Sequence, residues 1–158
     1  MSPALLPFFR WADHTWVSQW IRDSTWAFAF IEVFHLFGLT LLLGTLTVLN
    51  LRLFGWALGG YPLKSVAADA LPWTFVGMAV SIASGILLFL SEAMKCYASL
   101  PFFLKMGFLA AALLLTFTFH RHLAKADEPS PMVSKCAACV SIALWFGVGL
   151  AGRAIAFF

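Results

Sequence analysis

Residues 26–49 read WAFAFIEVFHLFGLTLLLGTLTVL, an apolar run of bilayer length that nevertheless carries Glu32 and His35. A helix needs about 20 mostly apolar residues to cross the hydrocarbon core, at roughly 1.5 Å of rise each. Three further runs follow: Ala70 to Ser91 without a charge, Phe102 to Phe119 interrupted by Lys105, and Cys136 to Phe158 interrupted by Arg153. A lipid-embedded backbone must satisfy its own hydrogen bonds, which leaves helices and closed barrels. The expected fold is an all-α integral membrane protein, a four-transmembrane-helix bundle in a single domain, with helices over 24–56, 70–94, 101–123 and 134–158. Only 11% of the residues are charged, against about 25% in soluble domains, which excludes an ordinary soluble fold.

Local chemistry sets the expected boundaries. Asp23, Ser24 and Thr25 offer capping oxygens before the first span. Gly55, Gly59, Gly60 and Pro62 mark the first loop, and Glu128-Pro129-Ser130-Pro131 marks the last. Pro72 and Pro101 are expected in the opening turns of the second and third helices, where a missing N–H costs least. Phe9, Ala12, Trp16 and Trp20 recur at helical spacing, so 1–22 reads as one amphipathic helix in the membrane interface, or docked on a partner subunit. Gly77, Ser81 and Gly85, and likewise Ala143, Gly147 and Ala151, are spaced by four, an interval that lets helices approach closely in lipid.

Let side A be the membrane face holding the N-terminus and side B the other. Side A receives Arg10, Arg22, Lys95 and Lys105, with Arg153 nearby; side B receives Arg52, Lys64, Arg121, Lys125 and Lys135. The balance leaves orientation open, with side B slightly favoured as cytoplasmic. A net charge of +3, scattered in this way, implies no nucleic-acid surface. The expected partners are the lipid bilayer and either further copies of the chain or a larger membrane complex. No cleavable signal peptide is read in the first twenty residues. Cys136-Ala-Ala-Cys139 has redox or zinc spacing, but no second cysteine pair accompanies it and no His follows Cys139; packing is the expected role.

Ionisable groups inside a span are expensive and usually face a bundle interior, a cavity or a cofactor. Glu32 and His35 are three apart, hence on one helix face, and a carboxylate beside an imidazole is an arrangement that fixes a ligand histidine's tautomer. Alternation of the spans brings Glu32, His35, Glu92, Lys105 and Arg153 to the side-A half. Pairing of helix ends, with Lys and Arg snorkelling to the interface, accounts for Glu92 and Lys105. For His35 the sharper expectation is an axial ligand to haem b, with Arg153 holding a propionate. His120, at the boundary of the third span, is the other metal-ligand candidate, while His122 points about 200° away from it on a regular helix. His35 and His120 are expected roughly 20 Å apart along the bundle axis, too far for one iron. His14 and Met106 are further candidates for a second ligand. A proton path through Glu32, His35 and Asn50 is a separate reading, and magnesium-pigment binding at His35 another. No hydrolytic or phosphoryl-transfer constellation is present.

The segments Ile31-Glu32-Val33-Phe34-His35-Leu36-Phe37-Gly38, Leu51-Arg52-Leu53-Phe54-Gly55, Ser84-Gly85-Ile86-Leu87-Leu88-Phe89, Phe119-His120 and Gly152-Arg153-Ala154-Ile155-Ala156 together resemble a family of small bacterial four-helix membrane proteins. These in turn look distantly like the cytochrome b561 and copper-resistance CopD-type proteins. The resemblance implies a multi-pass protein of a bacterial cytoplasmic membrane, a four-helix bundle, and haem ligation by His35 and His120. The chain has fewer histidines inside its spans than a two-haem cytochrome of that type needs. The resulting expectation is a small b-type cytochrome passing electrons within the membrane as part of a larger assembly. The competing one is a non-catalytic accessory subunit.

Overall fold

The computed structural model describes residues 3–120 and 130–157. Among these, seven α-helices and no strands are found: α1 (Leu6–Asp13), α2 (Trp16–Asp23), α3 (Ala27–Phe54), α4 (Leu63–Ser91), α5 (Ala93–Ala98), α6 (Leu100–Leu115) and α7 (Pro131–Ala154). A π-helical turn, Thr116–His120, extends α6. Four helical segments, Ala27–Phe54, Leu63–Ser91, Leu100–Phe119 and Pro131–Ala154, are long and apolar enough to cross a membrane. The chain therefore reads as a multi-pass, all-α membrane protein, as its apolar runs require.

The ends of these helices follow from local chemistry. Ser24 Oγ accepts the Ala27 N–H at 3.2 Å, satisfying one of the donors that every helix start leaves free. Gly55 closes α3 at φ 78°, in the left-handed region that glycine enters without a Cβ penalty. Ser130 caps α7 and Pro131 occupies its first turn, so this helix begins three residues earlier than the sequence implies. Pro101 opens α6 as expected, but Pro72 lies inside α4, not in its first turn. The earlier start follows from packing: Leu63, Val66, Ala67 and Leu71 are buried with Leu49, Leu53 and Ala138, and this apolar stripe carries the helix through the proline. Neighbouring helices in a membrane bundle tolerate the one backbone bond that proline removes.

The seam between α3 and α4 is the tightest in the bundle. A Cβ added to Gly77 would lie 2.6 Å from the Leu42 nitrogen, and one added to Gly38 would lie 2.7 Å from Ser81 Oγ. Thr74 donates to Thr45 Oγ1 at 2.9 Å further along. His35 with Ser84, Gly38 with Ser81, Leu42 with Gly77 and Thr45 with Thr74 thus form one antiparallel register. The small residues act here by letting two backbones touch. On the other side, Gly147 of α7 lies against the Phe108 ring of α6, and Asn50 of α3 donates to Ser141 of α7 at 3.2 Å. Leu42, Leu46, Met78, Ala112, Trp145 and Val148 close the middle of the bundle.

The N-terminal segment departs from the expected single helix over 1–22. Thr15 is extended (φ −65°, ψ 148°) and its side chain caps α2, so α1 and α2 are separate and out of phase. Phe9 and Ala12 are buried as their spacing implies, but Trp16 and Trp20 are exposed and Ser18 and Ile21 are buried in their place. The two helices dock on the side-A end of α4 and on α5. Ser18 Oγ donates to the Leu90 carbonyl at 2.7 Å, and the Phe9 ring lies 5.5 Å from Phe89 and 5.3 Å from Tyr97. Arg22 bonds Asp13 at 2.9 Å and ties the two helices together.

Candidate functional site

His35 lies on the face of α3 that continues downward as Leu42, Leu46 and Leu49, so it points into the bundle. Its Nδ1 sits 3.0 Å from Ser84 Oγ on α4. That hydroxyl has one hydrogen, and it is directed to the Val80 carbonyl at 2.6 Å. With that hydrogen on the carbonyl, Ser84 accepts from the imidazole and Nδ1 carries the proton. Nε2 is left with its lone pair, the form in which imidazole binds a metal or accepts a hydrogen bond. Among the described residues no hydrogen bond engages Nε2. Gly85 makes the geometry possible, since a Cβ there would lie 3.2 Å from His35 Cε1.

Glu32 was the expected orienting partner and does not hold that place. It is exposed on α3, and Ser84 takes Nδ1 instead. Glu32 does act on His35 through its charge, as does Lys105 of α6. Ser84 escaped the sequence reading because a serine in an apolar helix usually turns back to its own backbone. Its signal was Ser84-Gly85 at the interval of the close seam, which places a hydroxyl beside a gap.

The surroundings of His35 differ from the closed middle of the bundle. At this level Ser84 is buried, while Ile31 and His35 on α3, Gly85 and Leu88 on α4, Lys105 on α6 and Gly152 on α7 are half-buried. One or two turns deeper, Leu42, Ser81, Ala112 and Val148 are fully buried. Further towards side A the docked α1, α2 and α5 bury Ile21, Ser91, Ala93 and Cys96. Lys105 lays its side chain along α7, with Cε and Nζ 3.5 and 3.6 Å from the position a Cβ on Gly152 would occupy.

The other candidates are placed elsewhere. Arg153 is exposed and stacks over the Phe157 ring at 5.5 Å. Glu92 pairs with Lys95 at 3.4 Å and not with Lys105. His14 and Met106 are exposed. His120 ends the π-helical turn after Phe119, which packs with Leu49 and Leu53 at the side-B end. His35 lies roughly 27 Å from Leu53 along the helix at 1.5 Å per residue, so the two histidines are at opposite ends of the bundle. His122 lies outside the described residues. Asn50 is separated from His35 by the closed layer of Leu42, Leu46 and Trp145. Cys136 and Cys139 are exposed, not packed as expected, because Ser134, Ala138 and Ser141 form the buried stripe of α7. No group of three or more His, Cys, Asp or Glu that could hold a metal occurs among the described residues.

The chain belongs to a family of unknown function, DUF6644, whose model matches residues 8–158. No curated protein and no solved structure matches it.

Proposed function

We propose that this member of DUF6644 is a small haem b protein of a bacterial cytoplasmic membrane, in which His35 supplies one axial nitrogen and which passes electrons within a larger assembly. The observation that carries this reading is the contact between His35 Nδ1 and Ser84 Oγ. Ser84 Oγ lies 3.0 Å from Nδ1, and a proton held between them on Nδ1 leaves Nε2 with its lone pair. Ligand histidines characteristically donate their second nitrogen to such an oxygen, which fixes the ring and raises its basicity. His35 is the residue that would hold a haem, through the nitrogen that Ser84 does not take. Bound haem would supply a one-electron couple, whose potential is set by axial ligation and by burial. The chain's own part is to orient the imidazole and to exclude water below it with Leu42 and Trp145.

A reduced-minus-oxidised absorption spectrum of the protein purified from its native membrane tests the reading. A Soret and α-band pair that His35→Ala removes is expected. Spectra without haem bands would overturn it.

The accessory-subunit reading is favoured by a different observation. Phe30, Val33, Phe34 and Phe37 project from α3 next to the site and are at least 60% exposed. Such a face suits either lipid or a partner helix. Co-purification of a membrane partner, with cofactor content unchanged by His35→Ala, would favour this reading over the haem.

A further inference from the structure

At side B the loop that joins α3 to α4 overhangs a groove of about 360 Å³ beside the seam of the two helices. Pockets that hold small ligands span roughly 300–1,000 Å³. Val48 of α3 and Ser65 and Asp69 of α4 form its walls. Thr45, whose hydroxyl accepts from Thr74 at 2.9 Å, lines the end away from the loop. Leu58 and Tyr61 reach the groove from the loop itself. Leu58 has φ 57°, a left-handed conformation that a residue with a Cβ keeps only where its surroundings hold it. Arg52 fixes the same loop, donating from Nε to the Tyr61 carbonyl at 3.0 Å.

The lining is mostly apolar, and its charge has one sign. Asp69 brings a carboxylate, Tyr61 a phenol and Ser65 a hydroxyl, while no Lys or Arg lines the groove. Among the described residues Asp69 has neither an ion pair nor a hydrogen bond. Lys64, five residues earlier on α4, points about 140° away from it around the helix. Asp69 lies roughly 9 Å along α4 from Leu63, at 1.5 Å per residue. Exposed Trp56 and Tyr61 on the loop side and Trp73 on the deeper side bracket this level. Such aromatic side chains mark the boundary between lipid headgroups and acyl chains. The acid thus sits at headgroup depth, and the groove leads from it towards the hydrocarbon.

We propose that this groove is a lipid site, in which Asp69 holds the primary ammonium of an aminophospholipid and the apolar walls take the start of an acyl chain. A primary ammonium has three donors, and Asp69, Tyr61 and Ser65 each offer an oxygen to accept one. A choline headgroup has no N–H to give, and an anionic headgroup is repelled by Asp69. A free long-chain amine presents the same ammonium and chain without the phosphate. The site is independent of His35, which lies at the other end of the bundle.

The test uses the full-length protein in detergent micelles. The probes are phosphatidylethanolamine, phosphatidylcholine and phosphatidylglycerol with identical acyl chains, and dodecylamine. Native mass spectrometry reads the bound fraction of each. The wild type should bind phosphatidylethanolamine about tenfold more tightly than the other two lipids, the value of roughly one hydrogen bond to a charged group. Asp69→Asn should remove that preference, and Asp69→Glu should keep most of it. Val48 is 43% exposed, so Val48→Trp fills the groove from its outer wall and leaves the buried core untouched. It too should remove the preference. Equal binding of the three lipids by the wild type, with no uptake of dodecylamine, would overturn the proposal and needs no variant to fold. A preference that survives Asp69→Asn overturns it as well. Should that variant fail to fold, Val48→Trp decides, and a preference that it leaves intact overturns the site. Equal lipid binding with dodecylamine uptake that Asp69→Asn abolishes sustains the ammonium seat and assigns it to a free amine. Uptake that the variant leaves unchanged overturns it.

Discussion

His35 Nδ1 and Ser84 Oγ lie 3.0 Å apart, and the serine hydrogen is already directed to the Val80 carbonyl. This pair joins α3 to α4 at the side-A end of their close seam. It decides which imidazole nitrogen keeps its lone pair, and so links helix packing to whatever chemistry the site performs. Removing the hydroxyl should leave the fold intact, because the Gly38–Ser81 and Gly77–Leu42 contacts still hold the seam.

Ser84→Ala is accordingly expected to weaken haem binding by about 10- to 100-fold, the usual cost of losing such an orienting partner. Titration of the purified protein with haem b, followed at the Soret band, measures it, with thermal unfolding as the control for structure. Unchanged affinity in Ser84→Ala would mean that the hydrogen bond is packing alone. Glu32→Gln should have a smaller effect, since Glu32 does not touch the ring nitrogen and is exposed.

The α3–α4 seam gives a second expectation. Gly77→Ala places a methyl group 2.6 Å from backbone nitrogen and 2.9 Å from the Gly38 carbonyl, atoms that do not swing aside. Overpacking of this kind costs about 1–3 kcal/mol. Gly44 has nothing within 4 Å of its added Cβ, and Gly44→Ala should be neutral or stabilising by up to about 1 kcal/mol. Reversible unfolding in mixed micelles would compare the two. Equal stability of both variants would show that the seam relaxes.

These contacts also show how much could be read from the chain. Four spans and the close-packing intervals were legible because lipid imposes a length and small residues at i, i+4 impose a seam. The position of His35 inside the bundle followed from the cost of an ionisable group in lipid. Ser84 and Lys105 were not legible in their roles, because each depends on which neighbour lies opposite in three dimensions. The α3–α4 register sets Ser84 against His35, and Gly152 of α7 makes room for Lys105. The break at Thr15 was hidden for another reason. A stripe of Phe9, Ala12, Trp16 and Trp20 is helical in spacing, and only the extended backbone of Thr15 takes Trp16 and Trp20 off it.

Cysteine reactivity separates the two ends of the molecule. The thiolate is the nucleophile, and burial pushes the Cys96 thiol up to about 11, so at pH 8 only about one molecule in a thousand is ionised there. Raising the pH should speed its labelling about tenfold per unit until that value is reached. Cys136 and Cys139 are exposed and should be modified first by a membrane-permeant maleimide. Mass spectrometry of single-cysteine variants at pH 7 and pH 9 checks both the order and its pH dependence. Fast labelling of Cys96 at pH 7 would contradict the burial that keeps it neutral beside Lys105.

Phe9 is the anchor of the N-terminal cap. It is buried to 4% exposure, and its ring meets Phe89, Tyr97, Phe102 and Phe103. Phe9→Ala removes the side chain that holds α1 to the ends of α4, α5 and α6, a truncation that typically costs about 3–5 kcal/mol. The cap meets the rest of the protein only at the side-A end, so the loss should fall on local opening and leave the spanning bundle folded. Hydrogen exchange should accelerate across α1 and α2 while α3 and the deep part of α4 remain protected. Acceleration spread evenly over all four spans would instead make Phe9 part of the bundle's cooperative core.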